Sequence, residues 1–118
     1  MENETIKHLK EYGIEHIYNF QVPGCFEIPW MVSKISKDFD CIICIGILLK
    51  GDTMHFEQVS TATTNGLMNV QIESGVPVVD AVLSCYDLDQ VFTRISIESG
   101  LANSYALTCI RMCSLKNN

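Results

Sequence analysis

The stretch "FDCIICIGILL" (residues 39–49) constrains the fold of this chain more than any other. It is almost continuously apolar and rich in isoleucine. A strand that alternates polar and apolar residues buries one face, whereas a run with no polar face needs cover on both. That is the position of a strand inside a parallel sheet, and the rest of the chain must then supply helices between strands.

The flanking segments have that character. Residues 5–12 read as a short helix, with Ile6 and Leu9 on one face and Gly13 after it. "IEHIYNFQV" (14–22) reads as a strand, with Tyr18, Phe20 and Val22 alternating on one side. Pro23-Gly24 breaks it, and "CFEIPWMVSKISK" resumes as a helix that tolerates Pro29 only near its first turn. Residues 53–73 show helical spacing through Phe56, Val59, Thr63, Leu67 and Val70, and Gly75 ends that helix. "VPVVDAVLSC" (76–85) is the next strand. Asp87-Leu-Asp-Gln90 resembles a capping box for a helix through Ile95. After a polar break at "ESGLANS", "YALTCIRMCSL" forms a last helix. The order α-β-α-β-α-β-α-α predicts an α/β fold with a mainly parallel sheet between two helical layers. The 118 residues suit one domain. Three strands make a small sheet, so a further strand or a neighbouring subunit is expected to cover it.

The net charge of −6 argues against nucleic acid or an anionic membrane as partner, since both require a basic surface. A local anion site remains compatible with it. Charged residues are only 19% of the chain, which leaves apolar surface for a homo-oligomer to cover. No stretch is long and apolar enough to cross a membrane. The start, "MENETIKHLK", lacks signal and transit character, so the cytoplasm is the expected compartment.

Six cysteines suggest a disulfide framework or a metal site only until their context is read. Cys41, Cys44 and Cys85 lie in strand-like runs, and Cys109 and Cys113 lie one helical turn apart. A spacing of three inside a strand points Cys41 and Cys44 to opposite faces. Buried free thiols are the expectation, with no metal.

In open parallel sheets, ligands bind beyond the carboxyl ends of the strands. Two breaks there run straight into helices: Pro23-Gly24-Cys25-Phe26-Glu27 and Lys50-Gly51-Asp52-Thr53-Met54-His55. A helix start offers open N–H groups and a positive dipole end, which favour an anion. Gly51 permits close approach, Thr53 brings a hydroxyl, and Asp52 is an ordinary N-cap residue. His55 then falls in the first turn, either as a surface histidine or as a general base beside the anion. Glu27 is either a charge favourable to a helix dipole or an acceptor for a polyol or amide. Arg94 is either a solvated cation or a bidentate phosphate clamp. Spacing alone leaves these pairs open.

Four stretches together resemble the lumazine synthase family, most nearly its fungal-type members: "VPGCFEIP" (22–29), "IGILLKGDTMHFEQVS" (45–60), "GLMNVQIESGVPV" (66–78) and "DLDQVFTR" (87–94). The resemblance implies a flavodoxin-like α/β/α sandwich. It also implies condensation of 5-amino-6-ribitylaminouracil with 3,4-dihydroxy-2-butanone 4-phosphate, without metal or organic cofactor. Cys25, Phe26 and Glu27 stand where the family binds the ribityl chain and pyrimidine edge, and Leu48 and Leu49 where it holds the pyrimidine. Gly51, Asp52 and Thr53 match the phosphate turn, and His55 the proton-transfer residue. Arg94 matches the arginine that reaches the phosphate from the neighbouring subunit of a pentamer, in some members one of twelve in a shell.

Three departures accompany the resemblance. The family opens with a strand and an aromatic–Asn loop that this sequence does not contain. Asp80 stands where an aromatic residue of the neighbour usually lines the site. "ESGLAN" replaces the family's lysine-bearing "GNKG". They define the competing reading, a catalytically impaired homologue serving as an oligomeric scaffold or a flavin- or lumazine-binding protein.

Overall fold

The computed structural model describes residues 1–117. The apolar run forms strand β1 (Ile42–Leu49), and β2 (Val78–Cys85) pairs with it in parallel, from Ile42 opposite Val78 to Leu49 opposite Cys85. Among the described residues five α-helices accompany them: α1 (Glu2–Glu11), α2 (Ile28–Ile35), α3 (His55–Ser74), α4 (Leu88–Ile95) and α5 (Leu101–Lys116).

Strand alternation sorts the side chains into two cores, as expected for a run apolar on both faces. Cys44 packs with Cys25, Ile28, Val32, Val59 and Leu67 beneath α2 and α3. On the opposite face Val79 packs with Leu9, Ala106 and Cys109 beneath α1 and α5. Leu83 and Cys85 extend that layer to Val91 on α4. The result is a three-layer α/β/α arrangement around a parallel sheet. Cys41 and Cys44 fall into different cores, on opposite faces as their spacing predicts.

Residues 14–22 carry no regular secondary structure and form no strand. The sheet has two strands where three were predicted. The alternation is real: Tyr18 and Phe20 both rest on Phe39, with ring centroids 5.6 and 5.8 Å apart. A strand, however, is defined by its partner, and a parallel partner cannot be supplied by the adjoining turn. Between residues 14–22 and β1 lies a groove of about 1100 Å³ that keeps the two apart.

Other boundaries move for local reasons. α5 starts at Leu101, not Tyr105, because Leu101 packs against the Leu83–Cys85–Val91 cluster and draws the polar break into the helix. β2 starts at Val78, since Pro77 has no N–H to give. The Pro77 carbonyl instead accepts from Ile42 N–H at 3.0 Å. At Asp87 the predicted capping box forms in part. Its carboxylate accepts from Gln90 N–H at 2.8 Å, while the Gln90 side chain reaches past it to Tyr86 N–H at 2.7 Å.

Pro29 sits in the first turn of α2, where its missing N–H costs nothing. Its ring rests on Gly66 of α3. A Cβ at Gly66 would lie 2.8 and 2.9 Å from two Pro29 ring carbons. Gly66→Ala gains about 1 kcal/mol of helix propensity but overpacks a rigid ring at about 1–3 kcal/mol. A net loss of up to about 2 kcal/mol is expected in urea denaturation, and a stabilised variant would refute this account of the α2–α3 contact.

Burial, with Asp80 nearby, pushes the Cys44 thiol up to about 12. The unfolded chain ionises this thiol from about pH 9, while the folded chain keeps it protonated. Stability therefore falls as pH rises between about 9 and 12, by up to about 1.4 kcal/mol per unit from this group. Cys44→Ala should reduce that slope in denaturation midpoints measured across the range, leaving the part contributed by the other thiols pushed up by burial. An equally steep slope in the variant would place its origin elsewhere.

Candidate active site

β1 and β2 deliver their ends side by side, and Lys50 N–H still bonds Cys85 C=O at 2.9 Å beyond the ladder. The Gly51–Thr53 turn follows, exposed throughout. α3 then begins at His55, with Met54 as its N-cap and no side-chain cap. Asp52 thus does not cap the helix, contrary to its residue type. Thr53 lies nearer, and its Oγ1 accepts from His55 N–H at 3.2 Å. An accepting hydroxyl still has its own proton to donate.

The helix start already holds one carboxylate. Glu57 pairs with Lys50, whose hydrogen bond is the main cause holding the Glu57 carboxyl below its usual range; its own backbone N–H adds to this. The Lys50 Nζ lies 5.9 Å from the Phe56 ring centre, and Phe56 stacks on Tyr86 at 6.2 Å. Ser60 and Ser84 share a hydrogen bond of 2.9 Å across the same corner. Sequence spacing singled out none of Lys50, Glu57, Ser60 and Tyr86 as site residues. The lysine before Gly51 was the one available signal.

The second segment arrives as a 3₁₀ turn, Cys25–Glu27, leading into α2. Two features seat it against β1. Thr63 of α3, fully buried, donates to Cys25 C=O at 3.2 Å. Gly46 of β1 lets the turn close in, since a Cβ there would lie 2.8 Å from Cys25 Sγ. Cys25 is buried, and its thiol is pushed up chiefly by that burial, which outweighs the contact of its Sγ with Ile47 C=O at 3.9 Å. A thiol so held is a packing group rather than a nucleophile. Phe26 beside it is 63% exposed, and Glu27 is half-buried.

Cys25, Phe26, Glu27, Leu48 and His55 all line the groove between residues 14–22 and β1. Leu49 is exposed at the end of β1, next to the turn. Asp80 and Arg94 are not among the groove's lining residues. Asp80 lies opposite Cys44 in mid-strand, exposed, its Oδ1 accepting from Val82 N–H at 3.0 Å. Arg94 is exposed in the last turn of α4, which packs on β2. Both carry charge felt by Tyr105 on α5. One chain therefore divides the predicted site residues between a β1 flank and a β2 flank.

Fold and site together define a class: a parallel α/β protein whose polar groups gather where its strands end, in a groove walled by apolar side chains. Comparison with known proteins narrows the class. A family profile described as 6,7-dimethyl-8-ribityllumazine synthase matches residues 1–117. The chain is 41% identical over 107 residues to the 6,7-dimethyl-8-ribityllumazine synthase of Pyrococcus furiosus, covering 90% of this chain and 68% of that one. It is 32% identical over 108 residues to the Thermococcus gammatolerans protein of the same name, covering 90% and 70%. It is 36% identical over 116 residues to the chloroplastic enzyme of Arabidopsis thaliana, of whose length it covers 51%. The chain belongs to the 6,7-dimethyl-8-ribityllumazine synthase family.

Among the described residues no helix is long and apolar enough to cross a membrane.

Proposed function

We propose that this protein acts in riboflavin biosynthesis, condensing 5-amino-6-ribitylaminouracil with 3,4-dihydroxy-2-butanone 4-phosphate to give 6,7-dimethyl-8-ribityllumazine, phosphate and water. The observation that carries the reading is the convergence of Glu27, Leu48 and His55 on one groove beside the Gly51–Thr53 turn.

On this reading the amine of one substrate adds to the ketone of the other and water leaves, giving an imine. Phosphate is then eliminated, and the ring closes with loss of a second water. Each stage moves a proton near an anionic leaving group. His55, in the first turn of α3, is the group that shuttles it. The Gly51–Thr53 turn receives the phosphate through open N–H groups and the Thr53 hydroxyl, aided by the positive end of α3. Asp52 flanks that turn. Glu27 accepts hydrogen bonds from the ribityl chain or pyrimidine edge. Cys25 holds the 3₁₀ turn in place, and Phe26, Leu48 and Leu49 wall the ring. Holding two substrates in register supplies much of the rate, and the reading calls for no metal or organic cofactor.

Arg94 and Asp80, on the β2 flank, face the site of the next subunit in a homo-oligomer, a pentamer or a shell of pentamers. The apolar residues left exposed on β1, Ile45 at 37% and Ile47 at 48%, support a protein that is covered by something else. The cytoplasm is the compartment this reading assigns, consistent with six free thiols.

The test is formation of the lumazine chromophore from the two substrates by purified protein, with light scattering on the same sample. A monomer that forms no chromophore would sink the reading. If that silent protein still bound a flavin analogue, the impaired, ring-binding homologue would take its place.

A further inference from the structure

Cys41, Cys109 and Cys113 place their sulfur atoms within 4.8 Å of one another. Cys109 and Cys113 stand one turn apart on α5, and Cys41 immediately precedes β1. Among the described residues no other trio of His, Cys, Asp or Glu side chains converges in this way. The trio lies at the start of β1, about 26 Å from the Gly51–Thr53 turn by the rise of an eight-residue strand, and Cys41 and Cys109 also line the far end of the groove.

We infer that this trio is a metal site for a thiophilic divalent ion of the zinc class. A zinc ion bound tetrahedrally at about 2.3 Å sets its thiolates about 3.8 Å apart. The observed spacing needs contraction of no more than about 1 Å, within the reach of rotamer adjustment on a helix face. Three thiolates and no carboxylate or imidazole select soft ions over magnesium or calcium. Cys109 is buried against Leu9 and Ala106, which shields the site, while Cys41 and Cys113 are half-exposed and leave a way in. Cys113 Sγ already lies 3.8 Å from Asp40 C=O, so the chain before β1 is drawn to α5 without metal.

Binding is a proton-for-metal exchange. Three thiols lose three protons, three metal–sulfur bonds form, and the product M(SR)₃ carries a charge of about −1, with the fourth position left to water. No electron is transferred. The ion would tie the start of β1 to α5.

The experiment uses the reduced, chelator-stripped protein titrated with Cd²⁺. The expected result is a thiolate-to-metal charge-transfer band that saturates at about one equivalent per chain and is reversed by excess chelator. Cys41→Ser and Cys113→Ser should each weaken binding on the order of a hundredfold, while Cys85→Ala keeps it. Circular dichroism checks that the variants fold. Should they not, wild type is expected to release about three protons per Cd²⁺ below the thiol range, and fewer than two would overturn the site. No saturable band, a band intact in both serine variants, or a disulfide among the three in place of Cd²⁺ uptake would also overturn it.

Discussion

His55→Ala lowers the turnover number for lumazine formation on the order of a hundredfold, with the melting temperature unchanged. The stability half follows from position. His55 is exposed at the first residue of α3, and its backbone N–H, not its ring, makes the bond to Thr53. Exposed substitutions of this kind stay within about 0.5 kcal/mol. The rate half follows from chemistry. Losing one positioned acid–base group costs about 10²–10⁴ in rate, and the phosphate turn and ring walls persist to provide the remainder. Added imidazole should restore part of the loss. Equal rates for wild type and variant would remove His55 from the mechanism.

Arg94→Ala should be as damaging, and its combination with His55→Ala says more than either. The two residues occupy different flanks of one chain. If each site draws His55 from one subunit and Arg94 from the next, the two variants complement each other. Co-expressed in equal amounts, each intact residue is present in half of the subunits, so about a quarter of the sites are whole. The mixture should then recover about a quarter of the wild-type rate from two nearly silent parents. A mixture as silent as its parents would confine the site to one chain and refute the inter-subunit arrangement.

What the sequence disclosed and concealed follows one physical line. Residues 39–49 announce their burial on both faces because composition alone decides it, and β1 lies there. Gly75, at φ +71°, ends α3 as its type predicts. Residues 14–22 carry an equally clean alternation and make no strand, because pairing depends on a partner elsewhere in space. Leu101 belongs to α5 for the same reason: a tertiary contact overrides a polar neighbourhood. Within the candidate site, the Gly51–Thr53 turn, Glu27 and His55 are open alternatives by residue type and place, and only the family resemblance suggests roles for them. Thr63 and Gly46 do not stand out at all, since a buried threonine and a strand glycine look ordinary until the turn they seat is seen. The expectation that Arg94 serves a neighbouring site comes only from the family resemblance, as no periodicity within one chain encodes a neighbour.

The groove beside β1 carries a practical consequence. Among the described residues β1 pairs on one side alone, and the other edge offers unsatisfied backbone groups next to exposed isoleucines. Such an edge is a template for any extended peptide, including another molecule's. Few charges stand nearby to repel a newcomer. Association on concentration is the expected hazard of such an edge. A short synthetic peptide in extended conformation, able to pair along that edge, is the additive to try first.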